Sequence, residues 1–298
     1  MAIPKITTDW SNVPGNSGCI VEIVENAPSL IRKRALAPEY FRRLSSQFKK
    51  QQNYSPPIKG IIIPQVISSD EMSFVMQRLM MLDAIEFLER NPPNVIQNRL
   101  QIIIELLEWE FSCSPLTIIS TEIFRKKLDE IQKNIIPRIW HQHYQMYADE
   151  IENNLPKKIM LPLGICHGDL TLSNIMFSIT ENSIGLIDFL DSFLDSPLID
   201  IAKLRQDTLA HWTSFRYLET HDKGKICILD SWMNTIISDA FKQQINSFEF
   251  WLIEMLNYLR IAPYVTYEND HIYLSKIIQR IGSQEKPYAS YSSRWRTI

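Results

Sequence analysis

One stretch near the middle of the sequence concentrates residues whose types and spacing can do chemistry. Asp169 follows directly after His167 and Gly168. Asn174 comes five residues after Asp169, and Asp188 comes another fourteen residues along the chain. A carboxylate can accept the proton of a substrate hydroxyl, and an amide oxygen beside a carboxylate suits Mg²⁺, which takes few protein ligands and keeps water and phosphate oxygens. These residue types therefore favour metal-assisted transfer of a phosphoryl group, which needs positioning, neutralised charge and an oriented hydroxyl.

The segments around these residues predict that they lie close together. An apolar, strand-like run ends at Cys166 and another begins after Asn174, so the residues between them are predicted to form a loop held by two buried strands. The next strand ends in Asp188 and follows a turn at residues 181–183. We therefore expect a hairpin that returns Asp188 to the end of the sheet where Asn174 lies.

The N-terminal residues 1–80 predict a small β-rich lobe for nucleotide binding. Two hairpins, at residues 19–33 and 59–80, flank a helix at residues 37–52. Lys33 ends a strand just before that helix, where a cation can reach the phosphates of a nucleotide.

Residues 81–298 predict a larger, mainly helical lobe for catalysis and substrate binding, so the expected fold class is α+β. Asn94 is expected to cap one helix and Pro137 to kink another. The predicted helices span residues 82–89, 94–111, 121–154, 198–212, 225–244, 248–259 and 269–281.

The central motif resembles that of a known superfamily. His167-Gly168-Asp169 with Asn174, then Ile187-Asp188-Phe189, then the run PLIDIA at residues 197–202, are similar to the aminoglycoside phosphotransferase and choline kinase superfamily. The resemblance implies a bilobal, protein-kinase-like fold and an ATP- and Mg²⁺-dependent transferase that phosphorylates a hydroxyl group.

The resemblance also implies a role for each residue of the motif. It makes Asp169 the catalytic base and Asn174 and Asp188 the Mg²⁺ ligands. It further implies that His167 and Asp200 support the structure of the catalytic loop and that Lys33 contacts the α and β phosphates. The adenine site is implied along the backbone of Gln77, Arg78 and Leu79.

One departure from the kinase pattern concerns the partner of the strand lysine. Kinase-like folds usually pair it with a glutamate in the middle of the following helix, whereas Glu39 lies at the start of the predicted helix here. The central candidates are Gln47 and Gln51, and Gln47 is the hypothesised substitute.

The acceptor is expected to be a small molecule, because only twelve residues separate Asp188 from Asp200 and leave no room for a long regulated segment between them. Three runs look like those of phosphotransferases of bacterial surface-polysaccharide precursors, and this favours a sugar or polyol. They are LIRKRA, RRLSSQFKKQ and DFLDSFLDSPLIDIAKLRQD. Asp191 and Asp195 follow in a stretch without lysine or arginine, where they either attract a cationic substrate or serve turns and caps. Aminoglycosides and choline- or ethanolamine-type alcohols are therefore alternatives, as are a protein substrate and a catalytically silent nucleotide-binding scaffold.

Composition sets the remaining expectations. The 298 residues predict two domains, since one domain usually takes about 100–200 residues. A hydrophobic fraction of 45% and a charged fraction of 22% are typical of a globular protein, and a net charge of −3 gives no indication of a nucleic-acid partner. Four scattered cysteines indicate free thiols. The lack of a visible signal peptide or long apolar run predicts a cytoplasmic protein without membrane insertion.

Overall fold

The computed structural model describes residues 19–135, 140–212, 222–265 and 267–283, which contain nine strands and ten α-helices. The strands are β1 (Cys19–Ile23), β2 (Leu30–Ala35), β3 (Ile61–Ile62), β4 (Val66–Ser69), β5 (Ser73–Gln77), β6 (Leu116–Ser120), β7 (Lys158–Pro162), β8 (Ile175–Phe177) and β9 (Ile184–Leu186). The helices are α1 (Phe41–Asn53), α2 (Ala84–Arg90), α3 (Pro93–Ser112), α4 (Glu122–Ile135), α5 (His141–Asn154), α6 (Pro197–Thr208), α7 (Lys223–Ala240), α8 (Lys242–Ile245), α9 (Phe248–Leu259) and α10 (Glu268–Gly282). The α+β class predicted from the sequence is confirmed.

The strands of the described residues form three sheets. The N-terminal sheet has the order β1-β2-β5-β4 with antiparallel pairs, as the two predicted hairpins require. The second sheet has the order β3-β9-β8, and the third pairs β6 with β7. Residues 59–68 were predicted as the first half of the second hairpin, with Pro64 indicating an edge or irregular strand. They contain two strands instead: Pro64 lies between β3 and β4, and these strands belong to different sheets. Proline has no N–H to give to a ladder, so the chain leaves one sheet there and enters the next.

Helix α1 lies against the N-terminal sheet. Leu44 of α1 is buried in one cluster with Ala35 of β2 and with Phe74 and Met76 of β5. Because side chains two residues apart in a strand point to the same face, Lys33 shares the α1 side of β2 with Ala35. The Lys33 side chain is only 3% exposed.

Several predictions for residues 81–298 need correction. Helix α3 begins at Pro93, so Asn94 lies within its first turn instead of capping it; proline suits the first helical position, where its missing N–H has no partner to lose. The segment predicted as one helix at residues 121–154 contains α4 and α5, and Pro137 lies outside the described residues. Strand β6 was missed because its alternating pattern spans only five residues.

Contacts divide the chain into two compact units. One takes Met1–Trp109, His167–Ser192 and Thr213–Leu229, and the other takes Glu110–Cys166, Phe193–Trp212 and Asp230–Ile298. The N-terminal sheet, α1 and the β8–β9 hairpin thus belong to the same unit. The functional division at residue 80 stays a prediction. Within the described residues, no helix has the length and apolar character needed to cross a membrane.

Candidate active site

The β8–β9 hairpin brings Asn174 and Asp188 together. Ile175 pairs with Leu186 in the antiparallel ladder, and the Ile187 N–H donates to the carbonyl oxygen of Asn174 at 3.1 Å. Asn174 therefore lies opposite the residue that precedes Asp188, as the sequence predicted. Asp188 itself has a φ of 58°, a left-handed conformation that is rare for a residue with a side chain and that concentrates at functional sites.

The amide of Asn174 is oriented by Asp169. Its Nδ2 donates to the Asp169 carbonyl oxygen at 2.7 Å and to the Asp169 carboxylate at 3.1 Å. The Thr171 N–H donates to the same carbonyl oxygen at 2.7 Å, which closes a tight turn after Asp169. Since Asn174 is only 8% exposed and uses its nitrogen on Asp169, its Oδ1 is the atom with which it can bind a cation.

The ring of His167 joins the loop to the segment that carries Asp188. Its Nε2 lies 2.9 Å from the Ile187 carbonyl oxygen, and its Nδ1 lies 3.3 Å from the Asp169 nitrogen. A carbonyl oxygen can only accept and a backbone N–H can only donate, so these partners fix the tautomer with the proton on Nε2. His167 is fully buried and packs on the Phe189 ring at a centroid distance of 4.2 Å. These contacts fit the predicted structural role.

Lys33 pairs directly with Asp188. Its Nζ lies 2.9 Å from Asp188 Oδ1, and the lysine side chain is 3% exposed whereas that of the aspartate is 43% exposed. The pair joins a cation predicted to contact phosphates with a carboxylate predicted to bind Mg²⁺. The same pair lies near Cys19: burial raises the pKa of the Cys19 thiol above its ordinary value, the charges of Lys33 and Arg43 oppose that shift, and the charge of Asp188 adds to it.

The candidates for the helix partner of Lys33 occupy different environments. Gln51 donates its amide to the Pro64 carbonyl oxygen at 2.8 Å, and Glu39 is exposed. Gln47 is 6% exposed, and its Oε1 has no hydrogen-bond partner among the described residues. Gln47 follows Leu44 by one turn on the face of α1 that packs against β2. Its substitution for the usual glutamate stays a prediction.

The expected adenine site lies at the end of β5. Gln77 and Arg78 donate their backbone N–H groups to the carbonyl oxygens of Gln65 and Ser29, at 3.0 and 2.8 Å. Leu79 lies over β9: a Cβ placed on Gly185 would approach the Leu79 Cδ1 to 2.3 Å. The segment is thus adjacent to the strand that leads to Asp188.

The three later aspartates divide between the two units. Asp191 is exposed and follows Leu190 in the unit that contains Asp169. In the other unit, Asp195 accepts a hydrogen bond from the Cys166 thiol at 3.4 Å and, through its backbone oxygen, from Gly164 at 3.1 Å. Asp200 is fully buried in the first turn of α6. These contacts of Asp195 fit the alternative in which it stabilises a turn.

Sequence reasoning missed two cationic side chains that bind the β8–β9 turn and the segment after Asp188. Lys50 of α1 donates to the Leu190 carbonyl oxygen at 2.9 Å. Arg99 of α3 donates to Asn182 Oδ1 and to the carbonyl oxygens of Ser178 and Glu181, all in the β8–β9 turn. Lys50 is one of seven basic residues between positions 31 and 50 and had no local signal that separated it from the others.

The donor set fits magnesium better than a transition metal. Among the described residues, no group of three or more histidines, cysteines, aspartates and glutamates is arranged to hold a metal ion. Mg²⁺ is commonly bound by one or two carboxylates together with phosphates and water. Asp188 and the oriented amide oxygen of Asn174 supply oxygen ligands of that kind.

The comparisons with known proteins agree with this geometry. A family model described as the phosphotransferase enzyme family matches residues 123–229, which include the HGDLTLSN motif. Residues 123–229 are therefore similar to the phosphotransferase enzyme family. The expectation of a phosphotransferase is therefore confirmed, as is the resemblance from which it came. A search of curated proteins found no significant match.

Solved structures share the fold of this chain. The GDP and kanamycin complex of APH(2'')-IIia has 11% identity and a TM-score of 0.54, with coverage of 95% of this chain and 93% of that one. ADP-bound APH(2'')-Ib has 13% identity and a TM-score of 0.51, with coverage of 89% of each chain. The streptomycin-ATP-APH(2'')-IIa ternary complex has 13% identity and a TM-score of 0.50, with coverage of 90% of each chain. The predicted protein-kinase-like fold is confirmed.

Proposed function

We propose that this phosphotransferase moves the γ-phosphoryl group of ATP, with Mg²⁺, to a hydroxyl of a small molecule. The observation that carries the proposal is the arrangement of Asp169, Asn174 and Asp188 in one unit: Asn174 is hydrogen-bonded to Asp169 and lies opposite the residue before Asp188. A base and two oxygen ligands in that arrangement supply what phosphoryl transfer requires of a protein.

Asp169 is proposed to accept the proton of the acceptor hydroxyl. The hydrogen bond from Asn174 Nδ2 holds one carboxylate oxygen, Oδ2, in a fixed direction. The backbone of Asp169 is held by His167 Nδ1 on one side and by the Thr171 N–H on the other. Fixing a general base in this way lowers the entropic cost of reaching the reactive geometry.

Asn174 and Asp188 are proposed to hold the metal. A bound Mg²⁺ would neutralise charge on the phosphates and keep them oriented. Lys33 would add a positive charge for the α and β phosphates, and Gln77, Arg78 and Leu79 would border the adenine. Because Lys33 is paired with Asp188, nucleotide and metal would compete with this ion pair for both side chains.

A sugar or polyol is the proposed acceptor, and a cationic alcohol is the second candidate. The exposed carboxylate of Asp191 comes three residues after Asp188 and favours the second candidate, because an amino sugar or quaternary amine carries the complementary charge. The aminoglycosides named in the similar structures belong to this class of compound.

A catalytically silent nucleotide-binding scaffold is the candidate from another functional class. One observation favours it, since Lys33 is paired with Asp188. The hypothesis that the buried Gln47 replaces the usual helix glutamate would favour it as well. Binding of Mg·ATP without any phosphorylated product would support this candidate.

A panel of acceptors tests the proposed reaction. Sugars, polyols, aminoglycosides, choline and ethanolamine would be incubated with Mg·ATP, and both ADP and the phosphorylated product would be measured. We expect turnover with one chemical class. Asp191→Asn should raise the KM of a cationic acceptor and leave that of a neutral sugar unchanged, so this variant separates the two classes. Absence of product across the panel, with Mg·ATP bound, would contradict the proposal.

A further inference from the structure

The backbone of Leu190 lies between the catalytic loop and helix α1. Its N–H donates to the His167 carbonyl oxygen at 3.1 Å, and its carbonyl oxygen accepts from Lys50 Nζ at 2.9 Å. The two bonds use both polar groups of one residue. A hydrogen bond from an ammonium group to a carbonyl is charge-assisted and stronger than a neutral one. Lys50 thereby fixes Leu190, whose N–H donates to the His167 carbonyl oxygen.

Gly168 makes this close approach possible. Its φ is +87°, and a Cβ at this position would lie 2.2 Å from the Leu190 carbonyl oxygen and 3.0 Å from Lys50 Nζ. Real Cβ atoms do not come so near to a backbone oxygen, so only glycine fits. The ammonium group of Lys50 therefore lies close to Gly168, the residue between His167 and the proposed base Asp169 in the sequence.

The segment from Asp188 to Leu190 is consequently held by two lysines. Lys33 of β2 pairs with the side chain of Asp188, and Lys50 of α1 binds the carbonyl oxygen of Leu190. The two lysines are fixed relative to each other, because α1 packs on β2 through Leu44 and Ala35. The sequence from residue 164 to residue 202 has no lysine or arginine of its own, so a cation in this place has to come from another element.

We propose that Lys50 is a positioning residue of the phosphotransfer site, which holds the Asp188–Leu190 segment in register with the His167–Asp169 loop. The inference rests on the proposed function, since it assumes that Asp169 and Asp188 act in one reaction. Lys50 acts through Leu190 and Gly168. Its loss is expected to change the alignment of the base and the metal ligand more than the affinity for nucleotide.

Amide hydrogen exchange and steady-state kinetics of Lys50→Met test the proposal. Methionine keeps the length of the side chain and removes its donor. In the protein without ligands, exchange of the Leu190 amide should accelerate about 10-fold or more, the factor that loss of a hydrogen bond to a charged group implies. With an accepted substrate, kcat should fall about 10-fold or more, because small misplacements of reacting groups are costly, while the KM for ATP stays within about 3-fold.

Three variants complete the test. Lys49→Met is the matched control, because Lys49 is the exposed neighbour on the same helix, and it should behave like the wild type. Lys50→Arg keeps a cationic donor and should restore most of kcat. Gly168→Ala should reproduce the faster exchange at Leu190 by displacing its carbonyl oxygen, and it replaces Lys50→Met if that variant does not fold.

The outcomes separate this inference from the proposed function. Unchanged exchange at Leu190 in Lys50→Met, or faster exchange with unchanged kcat, would overturn the role of Lys50. If the wild type transfers no phosphate, the proposed function fails, and the role in that reaction fails with it, whatever the exchange shows. If the wild type turns over and Lys50→Met equals Lys49→Met in kcat, only the role of Lys50 is refuted.

Discussion

Asn174 shows how one side chain can serve two parts of a site. Its amide nitrogen fixes Asp169 through two hydrogen bonds, and its amide oxygen remains for a cation. An aspartate could not replace it, because a carboxylate lacks the donor and would repel Asp169. Lys33 is likewise proposed to have two roles: it pairs with Asp188, and it would contact the phosphates of a bound nucleotide. The chemistry at this scale depends on which atom of each side chain is already bound.

Gln47 offers a test of the lysine geometry. Its Oε1 is buried without a hydrogen-bond partner in the described residues, so Gln47→Met should leave thermal stability unchanged or raise it, because it removes an unsatisfied polar group. If Gln47 accepts a hydrogen bond from Lys33 when nucleotide binds, the same variant should raise the KM for ATP roughly 10-fold, as expected for a bond to a charged group.

Thermal denaturation and ATP kinetics of Gln47→Met measure the two effects separately. Gln47→Glu serves as the comparison, since it restores an acceptor at the same position and should keep a low KM. A KM for ATP that is the same in Gln47→Met and the wild type would exclude Gln47 as the partner of Lys33.

At the scale of elements, the β8–β9 hairpin is the part that must not move. It is short, and its two strands pair over only three residues each. Support comes from β3, whose Ile61 and Ile62 pair in parallel with β9, and from Gly60, whose carbonyl oxygen accepts from the Ile184 N–H at 2.7 Å. The turn is held from the other side by Arg99, which is 6% exposed. Elements distant in sequence thus stabilise the hairpin that joins the two proposed metal ligands, Asn174 and Asp188.

Loss of the Arg99 donors should loosen this hairpin. Arg99→Met keeps an apolar stem but removes the guanidinium group, whose carbon lies 5.8 Å from the centroid of the Phe87 ring. It leaves the carbonyl oxygens of Ser178 and Glu181 without this buried partner. The free energy of unfolding should fall by roughly 1–3 kcal/mol, the cost of leaving buried polar groups unpaired. Urea denaturation measures it, with Arg90→Met on the exposed end of α2 as the control. Equal midpoints for the two variants would contradict the role of Arg99.

At the scale of the molecule, the sequence predicted what local patterns encode. Two hairpins were predicted from local patterns: the alternating runs around residues 19–35 and the polar turn at residues 181–183. Helix α1 was predicted from the apolar stripe of Leu44 and its neighbours. Contacts between distant segments had no such signal. Neither Lys50 nor Arg99 had a local signal for its distant partners, and β3 was not separated from the run that follows it, because partners far apart in sequence decide which sheet or loop a residue joins.

In the candidate site, too, contacts encoded by a local pattern were predicted and contacts between distant segments were not. The spacing of Asn174 and Asp188 was sufficient to predict that their backbones lie close together, because a hairpin connects them directly. The pairing of Lys33 with Asp188 was not predicted, since the two residues are 155 positions apart. The acceptor depends on side chains from many segments, and for that reason the motif identifies the reaction class better than the substrate.

The most direct test of the account is the behaviour of Asp169→Asn with Mg·ATP and the acceptor that the panel identifies. Asparagine keeps the size of the side chain and loses the base. Calorimetry should show Mg·ATP affinity within about 3-fold of the wild type, while product formation falls about 10²-fold or more, as expected for loss of a general base. Product formation at the wild-type rate in Asp169→Asn would contradict the central claim.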